Sequence, residues 1–180
     1  MVKSLKYFLL FLFFFIATLL LYSQTIHSKF VFDFVDLVFD FQKRSWGDLG
    51  NFSTGLLPNW IAKLFFFVLL KLFGFNAHLW YVLSCALHAL NALLLLLLVE
   101  KVLVHFNYNE SFKISVFAST LFLVSPYHTE TIVWGGALNY LLVSFFILLQ
   151  LVAVAKFYKS RSLFWMLVAS FIFLLAVFTH

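Results

Sequence analysis

The sequence predicts an all-α polytopic membrane protein with about five transmembrane helices and interfacial helices in a long first outer loop. Three observations carry that prediction. The chain of 180 residues is 64% hydrophobic and 11% charged, with a mean hydropathy of +1.05, whereas soluble domains run roughly 45–50% apolar and about 25% charged. Its apolar residues gather in runs close to the ~20 residues needed to cross a hydrocarbon core. Lys and Arg fall at the ends of those runs and form no basic block, so the net charge of +5 marks topology and not a nucleic-acid partner.

The first run opens with Lys3 and Lys6 and stays apolar to Tyr22. A secretory signal has the same charged start, but the small-residue cleavage pattern is missing and the apolar run is long, so 5–23 reads as an uncleaved span. Further spans are expected at 78–100, 113–126, 136–156 and 162–178. The third is short unless it tilts or ends in a recessed cavity, and the last is slightly short. The stretch 60–73 is apolar but carries Lys63 and Lys71, which favours a helix lying in the interface. The whole chain forms one membrane domain, with no internal boundary or repeat.

With the N-terminus cytoplasmic, Lys3, Lys6, Lys101, Lys113, Lys156, Lys159 and Arg161 all fall inside. Lys29, Lys43, Arg44, Lys63 and Lys71 fall in the long loop 24–77, where charge bias counts for less. This topology puts that loop, the 126–135 turn and His180 on the outer side. A bacterial inner membrane is the expected location.

In the outer loop, Asp33, Asp36 and Asp40 recur at i, i+3 and i+7, which aligns three carboxylates on one face of a surface helix. Such carboxylates act as general bases toward a hydroxyl nucleophile, or form salt bridges, Lys29 with Asp33 and Asp40 with Arg44. Trp46 to Gly55 is a Gly/Asn-rich turn region that includes the sequon Asn51-Phe52-Ser53, and Pro58 precedes the second interfacial helix.

The second polar group is Ser125-Pro126-Tyr127-His128-Thr129-Glu130-Thr131-Ile132-Val133-Trp134, set between two apolar runs. Ionisable residues near bilayer depth face a cavity, a partner or a substrate path. Pro126 terminates a helix, and Glu130 suits the positive end of the next helix. A divalent cation is the one candidate cofactor at His128 and Glu130, yet two ligands are too few for a metal site. His88 and Asn91, three apart inside the second span, are expected to bond across to neighbouring helices. Cys85 packs in the core, and Trp60, Trp80, Trp134 and Trp165 anchor span ends. No Gly-rich phosphate loop, nucleophile elbow, Cys-x-x-Cys or His-Glu-x-x-His occurs.

Gly74-Phe75-Asn76, Trp80-Tyr81 and Leu87-His88-Ala89-Leu90-Asn91-Ala92-Leu93-Leu94 resemble the second-span signature of multi-spanning GT-C glycosyltransferases. That group includes protein O-mannosyltransferases and the transmembrane proteins that carry tetratricopeptide repeats. Ser125 to Trp134 resembles their turn after the third span. The resemblance implies transfer of a sugar from a polyprenyl-phosphate donor to a hydroxyl of a protein, lipid or glycan. It also implies a catalytic base on the first outer loop. By position Asp33 is the first choice, with Asp36 and Asp40 as alternatives, and His128, Glu130 and Trp134 bind substrate in the same outer cavity. Three departures stand against this pattern. Asp33 is followed by Phe34 and not by a second acid, and Leu57-Pro58-Asn59-Trp60 lacks the Arg that serves the family as a phosphate ligand. Ala176 to His180 resembles a later family element cut mid-motif, so an N-terminal part of a longer protein is expected. A non-catalytic membrane scaffold or assembly subunit is the alternative.

Overall fold

The computed structural model describes residues 2–25, 29, 35, 39, 42, 43 and 59–179. The acidic stripe Asp33, Asp36 and Asp40, the Trp46 to Gly55 turn region, Pro58 and His180 lie outside the described residues. All regular secondary structure among the described residues is helical. In chain order the helices are α1 (Val2–Leu21), α2 (Trp60–Phe73), α3 (Ala77–His105), α4 (Ser111–Val124), α5 (Thr129–Val133), α6 (Leu138–Ser160) and α7 (Leu163–Val177), with single 3₁₀ turns at Pro126–His128 and Gly135–Ala137.

Three stretches are long and apolar enough to cross a membrane: Ser4–Leu21, Ala77–His105 and Gly135–Ser160. Helices α4 and α7 are apolar but run only 14 and 15 residues, about 21–23 Å against a core of about 30 Å. The predicted third span ends two residues early because Ser125 is extended (φ −64°, ψ 126°), the conformation that a following proline imposes. The second span instead runs on five residues past its expected end, to His105.

Helix α3 is the hub. It packs against α1, α4 and α6, while α7 packs on α6. Phe14, Ala89, Ala92, Leu96 and Leu123 form the core where α1, α3 and α4 meet. Nearer the other end of the bundle, Tyr22, Phe66, Phe67, Trp80, Ile132 and Leu138 belong to a second core. A helix over 60–73, expected to lie in the interface, has those bounds, and its Phe66 and Phe67 are buried in that core. Its C-terminus is turned by Gly74 at φ 55°, ψ −140°, a region that residues with a Cβ rarely adopt. The Gly74 carbonyl then accepts from Trp80 Nε1 at 3.2 Å, which seats the start of α3 against α2.

The two ends of the bundle differ in chemistry. At one end Tyr7 Oη donates to Glu100 (2.9 Å), the Lys6 ammonium lies 3.1 Å from the Phe112 ring centre, and Lys156 lies 4.1 Å over Trp165. At the other end the Ile61 amide donates to the Phe178 carbonyl at 2.9 Å. The end of α1, helix α2, the start of α3, the 125–137 turn and the end of α7 therefore share one end of the molecule.

Candidate functional site: a recessed polar turn

Four hydroxyls inside apolar helices satisfy themselves locally. Thr18, Ser84, Ser115 and Thr120 each donate to the carbonyl four residues earlier, at 2.6–3.2 Å. The polar side chains at the centre of α3 reach outward instead. His88 Nε2 meets the Leu123 carbonyl at 3.2 Å, on the last turn of α4, and Asn91 Nδ2 donates to the Leu141 carbonyl at 3.0 Å, on the first turn of α6. Both residues are fully buried, as is Cys85. The expected roles of His88 and Asn91 as links between helices, and of Cys85 as packing, agree with this geometry.

Those two bonds fix the depth of the turn. His88 stands eleven residues into α3, about 16 Å from the end of that helix. Because α4 stops at Val124, the chain turns beside His88 and not at the level where α3 begins. His128 lies in this step, its ring 4.4 Å from Phe122 and 5.2 Å from His88, centre to centre. Burial against these rings lowers the His128 pKa below its ordinary 6.5. The turn is closed by Thr131 Oγ1 donating to the His128 carbonyl at 2.8 Å and by the Trp134 amide donating to the Glu130 carbonyl at 3.0 Å.

The three expected substrate-binding residues occupy different environments. His128 is half-buried in the step. Glu130 is exposed in the first turn of α5, where its charge meets the positive end of the helix. The Trp134 indole folds over Gly136, so closely that a Cβ at Gly136 would stand 2.8 Å from Trp134 Cε2. Trp134 Nε1 is buried without a hydrogen-bond partner. Among the described residues no group of three or more His, Cys, Asp or Glu could hold a metal ion, and nothing in the turn supplies His128 and Glu130 with a third ligand.

Four further buried atoms among the described residues lack a hydrogen-bond partner: His88 Nδ1, Asn91 Oδ1, Ser119 Oγ and Asn139 Oδ1. They lie on α3 and on the two helices, α4 and α6, that His88 and Asn91 reach. Sequence reading missed Ser119 and Asn139. The four-residue spacing of Ser115 and Ser119 in a short apolar helix was the available signal, since small residues at that spacing mark close helix packing.

Comparison with protein-family models, curated proteins and solved structures returns no match. The site therefore rests on its own geometry. It is a polar step cut into an apolar bundle, edged by an exposed carboxylate, a half-buried imidazole and an indole. The Tyr127 side chain beside it is 91% exposed.

Proposed function

We propose that this chain forms membrane helices of a glycosyltransferase. It moves a sugar from a polyprenyl-phosphate donor to a hydroxyl acceptor on the outer face. In this reading α4 and α7 complete a set of five spans, and the basic end faces the cytoplasm of a bacterial inner membrane. The turn receives the donor head group from the lipid side. Asp33 is the base, with Asp36 and Asp40 as alternatives, and His128, Glu130 and Trp134 line the cavity.

The observation that supports it best is the early stop of α4 at Val124, which recesses the polar turn beside His88. A lipid-linked substrate needs such a place, because its reacting phosphate lies where its tail enters the hydrocarbon. A second observation bears on the loop: Tyr81 Oη donates to the Lys29 carbonyl at 3.0 Å. That bond holds Lys29, four positions before Asp33 in the sequence, against the start of α3.

The test is transfer of a labelled sugar from a polyprenyl-phosphate donor by the full-length protein in proteoliposomes. Asp33→Asn is expected to lower transfer by roughly 10²–10⁴-fold, the usual contribution of a general base. Glu130→Gln is expected to raise KM with a smaller effect on kcat. Wild-type transfer by Asp33→Asn removes Asp33 from the mechanism.

The scaffold reading is favoured by a different observation. His88 and Asn91 each bond a backbone carbonyl on a neighbouring helix, which is how polar residues hold bundles together. On that reading the wild-type protein transfers no sugar from any polyprenyl-phosphate donor.

A further inference from the structure

All five buried polar side-chain atoms without a partner among the described residues lie on α3 or on segments packed against it: His88 Nδ1 and Asn91 Oδ1 on α3, Ser119 Oγ on α4, Trp134 Nε1 in the turn and Asn139 Oδ1 on α6. An unsatisfied buried polar atom costs stability, and native folds hold few of them. Their placement around one helix needs a cause.

The chemistry of the atoms narrows it. The Leu123 carbonyl only accepts, so His88 Nε2 carries the proton and Nδ1 of the neutral ring presents a lone pair. The Asn91 amide spends an N–H on Leu141, which leaves its oxygen accepting. Asn139 Oδ1 accepts, Trp134 Nε1 donates, and Ser119 Oγ does both. Ser119 is the telling member. It is fully buried, yet it does not donate to the carbonyl four residues back as Ser115 and Thr120 do on the same helix. A hydroxyl that forgoes that bond is free to serve another acceptor or donor.

The helices also bring the α3 and α4 groups to similar depths. Leu123 is level with His88, and α3 and α4 run antiparallel. One turn back along α4 is Ser119, and one turn on along α3 is Asn91.

We propose that the α3–α4–α6 junction is a binding site for ordered water: one or two molecules bridge His88 Nδ1, Asn91 Oδ1 and Ser119 Oγ and extend toward the turn. Water fits this set because it donates two protons to the acceptors and accepts from the hydroxyl or the indole. Buried waters make about three such bonds to groups that are otherwise unpaired. The inference does not depend on the glycosyltransferase reading, since a scaffold would hold the same water.

Ser119→Ala gives a test of sign. If Oγ is bound to water, the substitution strands the water's remaining bonds and lowers the thermal unfolding midpoint in nanodiscs by about 3 °C. If the junction is dry, removing an unpaired hydroxyl leaves the midpoint unchanged or raises it, and the proposal fails. A double-mutant cycle with Asn91→Ala is expected to be non-additive, because the two residues act through shared water. Additivity overturns the single site even when Ser119→Ala is destabilising. X-ray radiolytic footprinting of the wild-type protein is independent of any variant. Activation of bound water should oxidise Leu123 and Leu141 above the buried leucines Leu94 and Leu96, and equal oxidation overturns the proposal. Replacing Na⁺ by choline at constant ionic strength should leave the midpoint in place. A shift would assign these lone pairs to a cation, not to water.

Discussion

His128 is the residue whose setting changes most between the one-dimensional and three-dimensional views. In sequence it is one polar residue among several, beside an acid two positions on. In the fold its ring packs against the stacked rings of Phe122 and His88, and burial lowers its pKa below 6.5. The consequence for stability follows from linkage. Above the unfolded-state value both states hold a neutral imidazole, so the full stability is present. As pH falls below 6.5 the unfolded chain takes up the proton first, and stability is lost until the folded pKa is passed. The wild-type unfolding midpoint should therefore fall more than that of His128→Gln between about pH 7 and about pH 5. Thermal melts of the two proteins across that range check it, and parallel curves would mean that His128 is solvated in the fold. Glu130 behaves as its sequence suggested: the helix-start role assigned to it is the one its exposed position in the first turn of α5 supports.

At the scale of elements, the decisive feature is where α4 ends. Proline at 126 keeps Ser125 extended, and the chain leaves the helix axis before Leu123 can accept an amide four residues on. That carbonyl meets His88 instead. Pro126→Ala lifts the restriction and lets the helix add a turn, whose Tyr127 amide competes for the Leu123 oxygen. The expected cost is about 1 kcal/mol from the weakened His88 contact, with greater hydrogen-exchange protection at the amides of 127–129. Unchanged exchange there would show that the turn is held by packing and not by the proline. This element was half-legible beforehand. A short third span ending at a proline could be read from the residues, but its alignment with the middle of α3 could not. That alignment depends on contacts between residues 35 and 50 positions apart in the chain.

At the scale of the molecule, the helix order sorts the loops onto two ends. The Ile61–Phe178 backbone bond and the core of Tyr22, Phe66, Trp80 and Ile132 gather one set. The Tyr7–Glu100 and Lys156–Trp165 contacts mark the other. Single cysteines placed in a Cys85→Ala background should divide the same way under a membrane-impermeant maleimide. Ser23→Cys and Glu130→Cys should label from one face, and Tyr108→Cys and Ser162→Cys from the opposite face. A mixed pattern would break the helix order. The sequence by itself determined the all-helical, membrane class of the protein and the bounds of the helix over 60–73, because apolar run length and charge placement are local properties that a bilayer reads directly. The depth of the polar turn, the partners of His88 and Asn91, and the placement of Ser119, Asn139 and Trp134 on segments packed around α3 were decided only by tertiary structure. Each depends on which helix lies beside which, and among helices that are apolar on most faces hydropathy carries almost no information about that choice.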